Sequence, residues 1–390
     1  MLYSNHKAIL DFLLTDSKSK FHHPYKYPTS RHLFSSTEHQ QIILHIISRI
    51  LRLDYPKVSH FSQPRKLEMK NPTVYYIGFL IAMSMAGAST GQLEYGFYQT
   101  TCPGAEAIVR NVVFQAISSD AGLGAGLIRL LFHDCFVRGC DGSVLIASTA
   151  SNPSEQLSPI NLSLRGFQVI DLAKTQLEAA CPGVVSCADI VAFAARDSAL
   201  RLGGIGYPVA AGRRDGLVSS SADPLQNLPQ FNFTLAQLES TFAAKGLSVQ
   251  DMVVLSGAHS IGRAHCSSFI NRLYPTVDPA LDPLFASSLL RICPTPDNIT
   301  FTNNPVTVQD YQTPRKLDNR YYQDILQGRV LFTSDEDLVT STPTLGQVRT
   351  YAALGGLWAN QFAQAMQKMG QIGVLTGTQG EIRNVCSAFN

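Results

Sequence analysis

Arg129 and His133 stand four residues apart in the run Leu127-Ile-Arg-Leu-Leu-Phe-His-Asp-Cys-Phe-Val-Arg-Gly-Cys-Asp-Gly-Ser143. On a helix that spacing puts both on one face. A fixed cation beside a titratable base suits proton transfer where negative charge develops. Phe132 is next to the histidine and could wall such a site. Taken alone, such a pair more often marks a solvated helix face.

The residues that follow narrow the choice. Asp134, Asp141 and Ser143 offer hard oxygen ligands, and Val137 and Gly139 offer carbonyls in a tight loop between Cys135 and Cys140. Clustered oxygens suit calcium. Zinc is the rival, because Cys and His are present, but paired cysteines do not serve as thiolate ligands.

A second constellation is Asp251-Met-Val-Val-Leu-Ser-Gly-Ala-His-Ser-Ile-Gly-Arg-Ala-His-Cys266. Small residues just before His259 let a flat group approach closely. A haem ring is one such group, with histidine as its usual axial ligand. A core histidine bonded to backbone is the alternative. Of ten histidines, seven lie in residues 1–60, and only His133, His259 and His265 remain in the rest.

The elements that would position these residues are mostly helical. Apolar residues recur at helical spacing over Glu106–Ser118, Leu123–Val137, Gly166–Ala180, Ala188–Leu202 and Leu235–Lys245. The same holds for Val249–Ser256, Asp282–Ile292, Asn319–Leu326, Thr344–Leu354 and Trp358–Met369. Gly203-Gly204, Pro229, Gly246 and Gly370 punctuate them. Asp318 and Ser334 are expected to cap helix starts. The expectation is an all-α fold of about ten helices in two lobes around a cofactor, with little β structure.

The chain of 390 residues can bury a large core. Residues 1–68 hold 10 Lys+Arg against 5 Asp+Glu, whereas 92–390 hold 20 against 24. A mildly acidic body without a basic cluster argues against nucleic acid as partner. Val74–Ala88 is apolar, follows Lys66 and Lys70, and precedes Ser89-Thr90-Gly91. That order reads as a signal peptide over 69–91, leaving 92–390 as one domain without a membrane span. Residues 1–68 then read as an atypical, disordered leader or a mis-called start, since Met69 would make a normal one. All eight cysteines follow the expected cut, which suits disulfides in an oxidising compartment, although eight cysteines allow 105 pairings. Asn232-Phe-Thr and Asn298-Ile-Thr are candidate glycosylation sites.

Together the two constellations resemble the plant secretory (class III) haem peroxidases. The resemblance runs from Gln92 to Cys386. It rests on Arg129-x-x-Phe-His-Asp-Cys135, Arg165-Gly-Phe167, Val185-Ser-Cys-Ala-Asp189, Gly212-Arg-Arg-Asp215, Leu255-Ser-Gly-Ala-His259, Asp318-Asn319 and Ser334-Asp335. It implies haem b, two calcium ions, and reduction of hydrogen peroxide through a high-valent iron-oxo intermediate. Phenolic or similar small donors would then be oxidised.

The resemblance also implies roles. His133 would be the acid–base group, Arg129 would stabilise charge, and Asn161 would accept from His133. That role would bury Asn161 despite its Asn-Leu-Ser sequon. His259 would bind the iron and Asp335 would hold its other nitrogen, with Phe132 and Arg165 at the cofactor. Asp134, Val137, Gly139, Asp141 and Ser143 would hold one calcium, with Glu155 linked to it. Ser260, Asp310, Thr313, Asp318 and the Lys316 carbonyl would hold the other. Pro229 would lie at the donor-binding edge. The implied disulfides are Cys102–Cys181, Cys135–Cys140, Cys187–Cys386 and Cys266–Cys293. Asp189 would pair with Arg213.

Departures from the family pattern are Ser260 for Thr, Tyr207 for a frequent Trp, and Leu317 for a common Phe. His265 could reach a haem propionate or simply lie at the surface. The short tail after Cys386 favours the extracellular space or cell wall over the vacuole, and a monomer is expected. A catalytically inactive calcium-binding protein of the cell wall and a zinc hydrolase are the competing readings. The first would have lost a catalytic residue, and the second lacks a third ligand.

Overall fold

The computed structural model describes residues 92–390, so the expected leader (1–68) and signal peptide (69–91) lie outside the described residues. Helices dominate. They are α1 (Ala105–Ser119), α2 (Gly122–Val137), α3 (Phe167–Ala180), α4 (Cys187–Gly203), α5 (Asp223–Asn227) and α6 (Leu235–Ala244). Then follow α7 (Val249–Ser256), α8 (Pro283–Ile292), α9 (Arg320–Ile325), α10 (Thr333–Glu336), α11 (Thr342–Ala353) and α12 (Gly355–Met369). Two short antiparallel pairs complete the described residues. β1 (Glu94–Tyr95) pairs with β2 (Ala210–Ala211), and β3 (Arg263–His265) pairs with β4 (Val306–Val308). The all-α expectation holds, with twelve described helices in place of ten.

The chain stops and starts its helices with local chemistry. Ser248 and Asp251 form a reciprocal capping box on α7, the helix that leads to His259, and such caps are typically worth ~1 kcal/mol. Ser186 caps α4 by accepting from the Asp189 N–H. Two expected caps differ. Helix α10 starts after Phe332 with no side-chain cap, so Ser334 lies within it. Asn319 occupies the cap position of α9, although the Arg320 N–H does reach Asp318 Oδ1 at 3.0 Å.

Helix α2 is the centre of one half. Leu127, Ile128, Leu130, Leu131, Cys135 and Phe136 are buried, and α2 packs against α4 more extensively than any other pair of elements. Each such side chain contributes about 1.5–3 kcal/mol by leaving water. This burial fixes the rotation of α2, and with it the direction of Arg129 and His133.

Helices α7, α9, α11 and α12 make the other half. Trp358 and Tyr322 are both buried there. A Cβ on Gly257 would lie 2.5 Å from Trp358 Nε1 and 2.7 Å from the Tyr322 oxygen, so only glycine fits where α7 gives way to His259. A smaller core lies under β3 and α8, around Phe269, Phe285 and Leu289. Four disulfides, Cys102–Cys181, Cys135–Cys140, Cys187–Cys386 and Cys266–Cys293, cross-link the described chain. Inside it, Arg213 Nη1 meets Asp189 Oδ1 at 2.7 Å, and Tyr98 donates to Asp189 Oδ2 at 2.7 Å.

Candidate active site

On α2, Arg129 Nε donates to His133 Nε2 at 3.0 Å. Nε2 is therefore the acceptor, and the ring proton lies on Nδ1. Nδ1 then donates to Asn161 Oδ1 at 2.7 Å. Asn161 cannot be flipped, because its Nδ2 donates to the Glu155 carbonyl at 2.9 Å. Asn161 is buried. Arg129 is held at its far end by Ser163 Oγ at 2.9 Å and the Ile160 carbonyl at 3.1 Å. Ser163 was not singled out in the sequence. The Phe132 ring stands edge-on to His133, 5.3 Å between centroids.

The electrostatics follow from burial. Loss of water, and next the charge of Arg129, hold the His133 imidazole well below its ordinary 6.5. Loss of water lowers Arg129 to about 10, which leaves it charged at neutral pH. The pair is thus a neutral base with a cation beside its acceptor nitrogen.

His259 lies in a single 3₁₀ turn, Gly257–Ser260, straight after α7. Its Nδ1 donates to Asp335 Oδ1 at 2.8 Å, which leaves Nε2 as the nitrogen available to a metal. The imidazole is 37% exposed, while Asp335 is 3% exposed. A rigidly held, carboxylate-backed imidazole with an open nitrogen fits the iron of haem. Tyr321, absent from the sequence reading, donates to the same Asp335 oxygen at 2.7 Å. Burial first, then the Asp335 charge, push its phenol well above the ordinary value, so it stays a donor.

Two oxygen-rich loops sit one residue from the two histidines. In the first, Asp134 Oδ2 accepts from the Gly142 N–H at 3.0 Å, and Asp141 Oδ1 from the Ser143 N–H at 3.0 Å. Ser143 Oγ and Glu155 Oε2 are buried without any hydrogen-bond partner. Gly139 has a left-handed φ of 99°, and its carbonyl accepts from the Asp141 N–H. The Val137 carbonyl ends α2, where the helix supplies no partner. Burial pushes the Asp134 and Asp141 carboxyls up, and Glu155 up to about 8.

In the second loop, the Gln312 and Thr313 N–H groups donate to Asp310 Oδ1 at 2.7 and 2.5 Å. Thr313 Oγ1 donates to Asp318 Oδ1 at 3.1 Å, and the Asp318 N–H to Ser260 Oγ at 3.2 Å. Asp310 Oδ2 is buried and unpartnered, and burial raises Asp310 to about 6. Among the described residues no three His, Cys, Asp or Glu side chains group as metal ligands. The oxygens here come largely from hydroxyls and backbone, and the orphaned acceptors fit a hard cation.

Other sequence candidates lie apart from these groups. The exposed Arg165 pairs with Asp120 and makes no hydrogen bond to Arg129, His133 or Asn161. His265 is exposed and bonded to the Asn304 carbonyl at 2.9 Å. Pro229 is half-buried beyond α5.

Comparison with known proteins identifies the family. The "Peroxidase" family model matches residues 109–354. Peroxidase 5 of Vitis vinifera is 52% identical over 320 residues, covering 80% of this chain and 95% of the relative. Peroxidase 1 of Zea mays is 48% identical, covering 80% and 86%, and Peroxidase 12 of Arabidopsis thaliana is 46% identical, covering 76% and 83%. The chain belongs to the peroxidase family and, within it, to the plant class III haem enzymes that reduce hydrogen peroxide.

Proposed function

We propose that His133, Arg129 and Asn161 carry the peroxide step and that His259, backed by Asp335, holds the haem iron. The observation that supports this reading best is the chain from Arg129 through His133 to Asn161, because it fixes one tautomer. Asn161 keeps the proton on Nδ1, so Nε2 is free of one and can accept another. His133 would take a proton from one peroxide oxygen and return it to the other, which leaves as water. Arg129 would stabilise the charge that appears on the leaving oxygen. Its Nε lies on the acceptor nitrogen, so it must give way when peroxide arrives. Haem, when bound, supplies the electrons for this reduction and takes them back singly from donors.

The depressed His133 pKa has a testable sign. The imidazole resists protonation, so the peroxide step should stay level as pH falls through 6.5 and decline only well below it. Arg129→Leu removes a cation from beside Nε2, so its decline should begin at higher pH than in the wild type. Stopped-flow rates across the pH range measure both. A wild-type decline centred on 6.5 would contradict the buried, neutral base.

The two oxygen-rich loops would each hold calcium. Asp134, Val137, Gly139, Asp141 and Ser143 form the site beside His133, and Ser260, Asp310, Thr313, Asp318 and the Lys316 carbonyl the site beside His259. An ion at one hundred times its Kd adds about 2.7 kcal/mol to stability. Prolonged chelation should therefore lower both Tm and the peroxide rate, and added calcium should restore both. Asp141→Ala and Asp318→Ala should each remove one ion in elemental analysis. A fully active enzyme containing no calcium would end this assignment and leave the haem assignment standing.

The donors would be phenolic or similar small reductants admitted near Pro229. A monomer exported to the extracellular space or cell wall fits the four disulfides. No described helix is long and apolar enough to cross a membrane. Asn232 and Asn298 would take the glycans, being accessible where Asn161 is buried.

A further inference from the structure

One oxygen atom of Asp335 serves two donors. His259 Nδ1 reaches it at 2.8 Å and the Tyr321 hydroxyl at 2.7 Å. Tyr321 and Asp335 are both buried, and the Tyr321 ring stands edge-on to the imidazole, 5.9 Å between centroids. A buried phenol needs an acceptor, but a backbone carbonyl would satisfy it. Its neighbours use that solution. Tyr322 donates to the Val253 and Val254 carbonyls, and Trp358 Nε1 to the Val254 carbonyl. Tyr321 alone of the three spends its proton on the carboxylate that holds His259.

Two donors on one oxygen compete for its charge. Each draws electron density that the other would otherwise receive. The more strongly the carboxylate pulls on the His259 N–H, the more electron-rich the imidazole becomes, and the lower the reduction potential of a metal on Nε2.

We propose that the Tyr321 hydroxyl moderates the pull of Asp335 on His259 and thereby sets the reduction potential of the iron. It is a positioning residue acting through Asp335, and it touches neither peroxide nor donor. The proposal rests on His259 being the axial ligand.

The test is the ferric/ferrous midpoint potential of the holoenzyme, measured by spectroelectrochemistry for the wild type, Tyr321→Phe and Asp335→Asn. Tyr321→Phe should favour the ferric form by roughly tenfold, which for a one-electron couple is about 59 mV downward. Asp335→Asn should move the potential upward. If Asp335→Asn moves it and Tyr321→Phe does not, or moves it upward, the tyrosine serves structure only and the proposal is overturned, whatever happens to Tm. If neither variant moves it, the His259–Asp335 assignment itself has failed and the proposal falls with it. Should Tyr321→Phe fail to load haem, 3-fluorotyrosine at position 321 keeps the hydroxyl and strengthens it as a donor. The potential should then rise, and an unchanged or lower value overturns the proposal.

Discussion

His133→Ala should slow the reaction with peroxide by about 10²–10⁴-fold while haem stays bound, since that is the usual contribution of a positioned acid–base group. The size of the loss follows from the site's construction. His133 is buried, its Nδ1 proton is committed to Asn161, and its Nε2 is the one basic atom in that hydrogen-bonded group. No neighbour can replace it. Arg129 is a cation, and burial leaves it at about 10, too basic to shuttle protons near neutrality. Arg129→Leu should cost less, about 10²-fold, because it removes charge stabilisation and leaves the base. Stopped-flow formation of the oxidised enzyme reads both rates. A His133→Ala enzyme that reacts at the wild-type rate would remove the residue from the mechanism.

His259→Ala should produce a different failure, loss of the cofactor itself. The iron would lose its protein ligand, and the Asp335 carboxylate would lose one of its two donors. A buried carboxylate left partly unpaired is costly, so Tm should fall as well. The ratio of Soret to protein absorbance after purification should drop far below that of the wild type. Added imidazole should restore part of it, because a free ligand can enter the space the side chain leaves. A variant with full haem and an unchanged spectrum would place the axial ligand elsewhere. The two variants separate the roles cleanly, one keeping the spectrum and losing the rate, the other losing the spectrum.

The sequence carried the long helices well because their apolar residues recur at helical period, as in α2, where burial of Leu127, Leu130 and Leu131 fixes the face that bears Arg129 and His133. The two shortest helices were not legible. The five-residue α5 and four-residue α10 have too few turns to show a period. Asp335 was readable through family resemblance alone, because nothing in Thr333–Glu336 shows that it faces a histidine 76 residues away. Tyr321 was missed for a related reason. Its hydrogen bond runs from α9 to α10, and an apolar period predicts only that a tyrosine is buried, not where its hydroxyl points. Ser163 was hidden in the same way, since only the folded loop brings it to Arg129.

The disulfides draw a boundary of their own. Cys102–Cys181 encloses Cys135–Cys140, and Cys187–Cys386 encloses Cys266–Cys293. Between Cys102 and Cys386 the chain is therefore two closed covalent rings joined by the strip Pro182-Gly-Val-Val-Ser186. Arg129, His133 and Asn161 all belong to the first ring, and His259, Tyr321 and Asp335 to the second. A protease cut inside either ring leaves every fragment tethered, and the enzyme migrates as one body until it is reduced. A cut in the strip yields two pieces, one bearing Arg129, His133 and Asn161 and the other His259 and Asp335, held together by noncovalent contacts alone, the β1–β2 pairing and the Tyr98–Asp189 hydrogen bond among them.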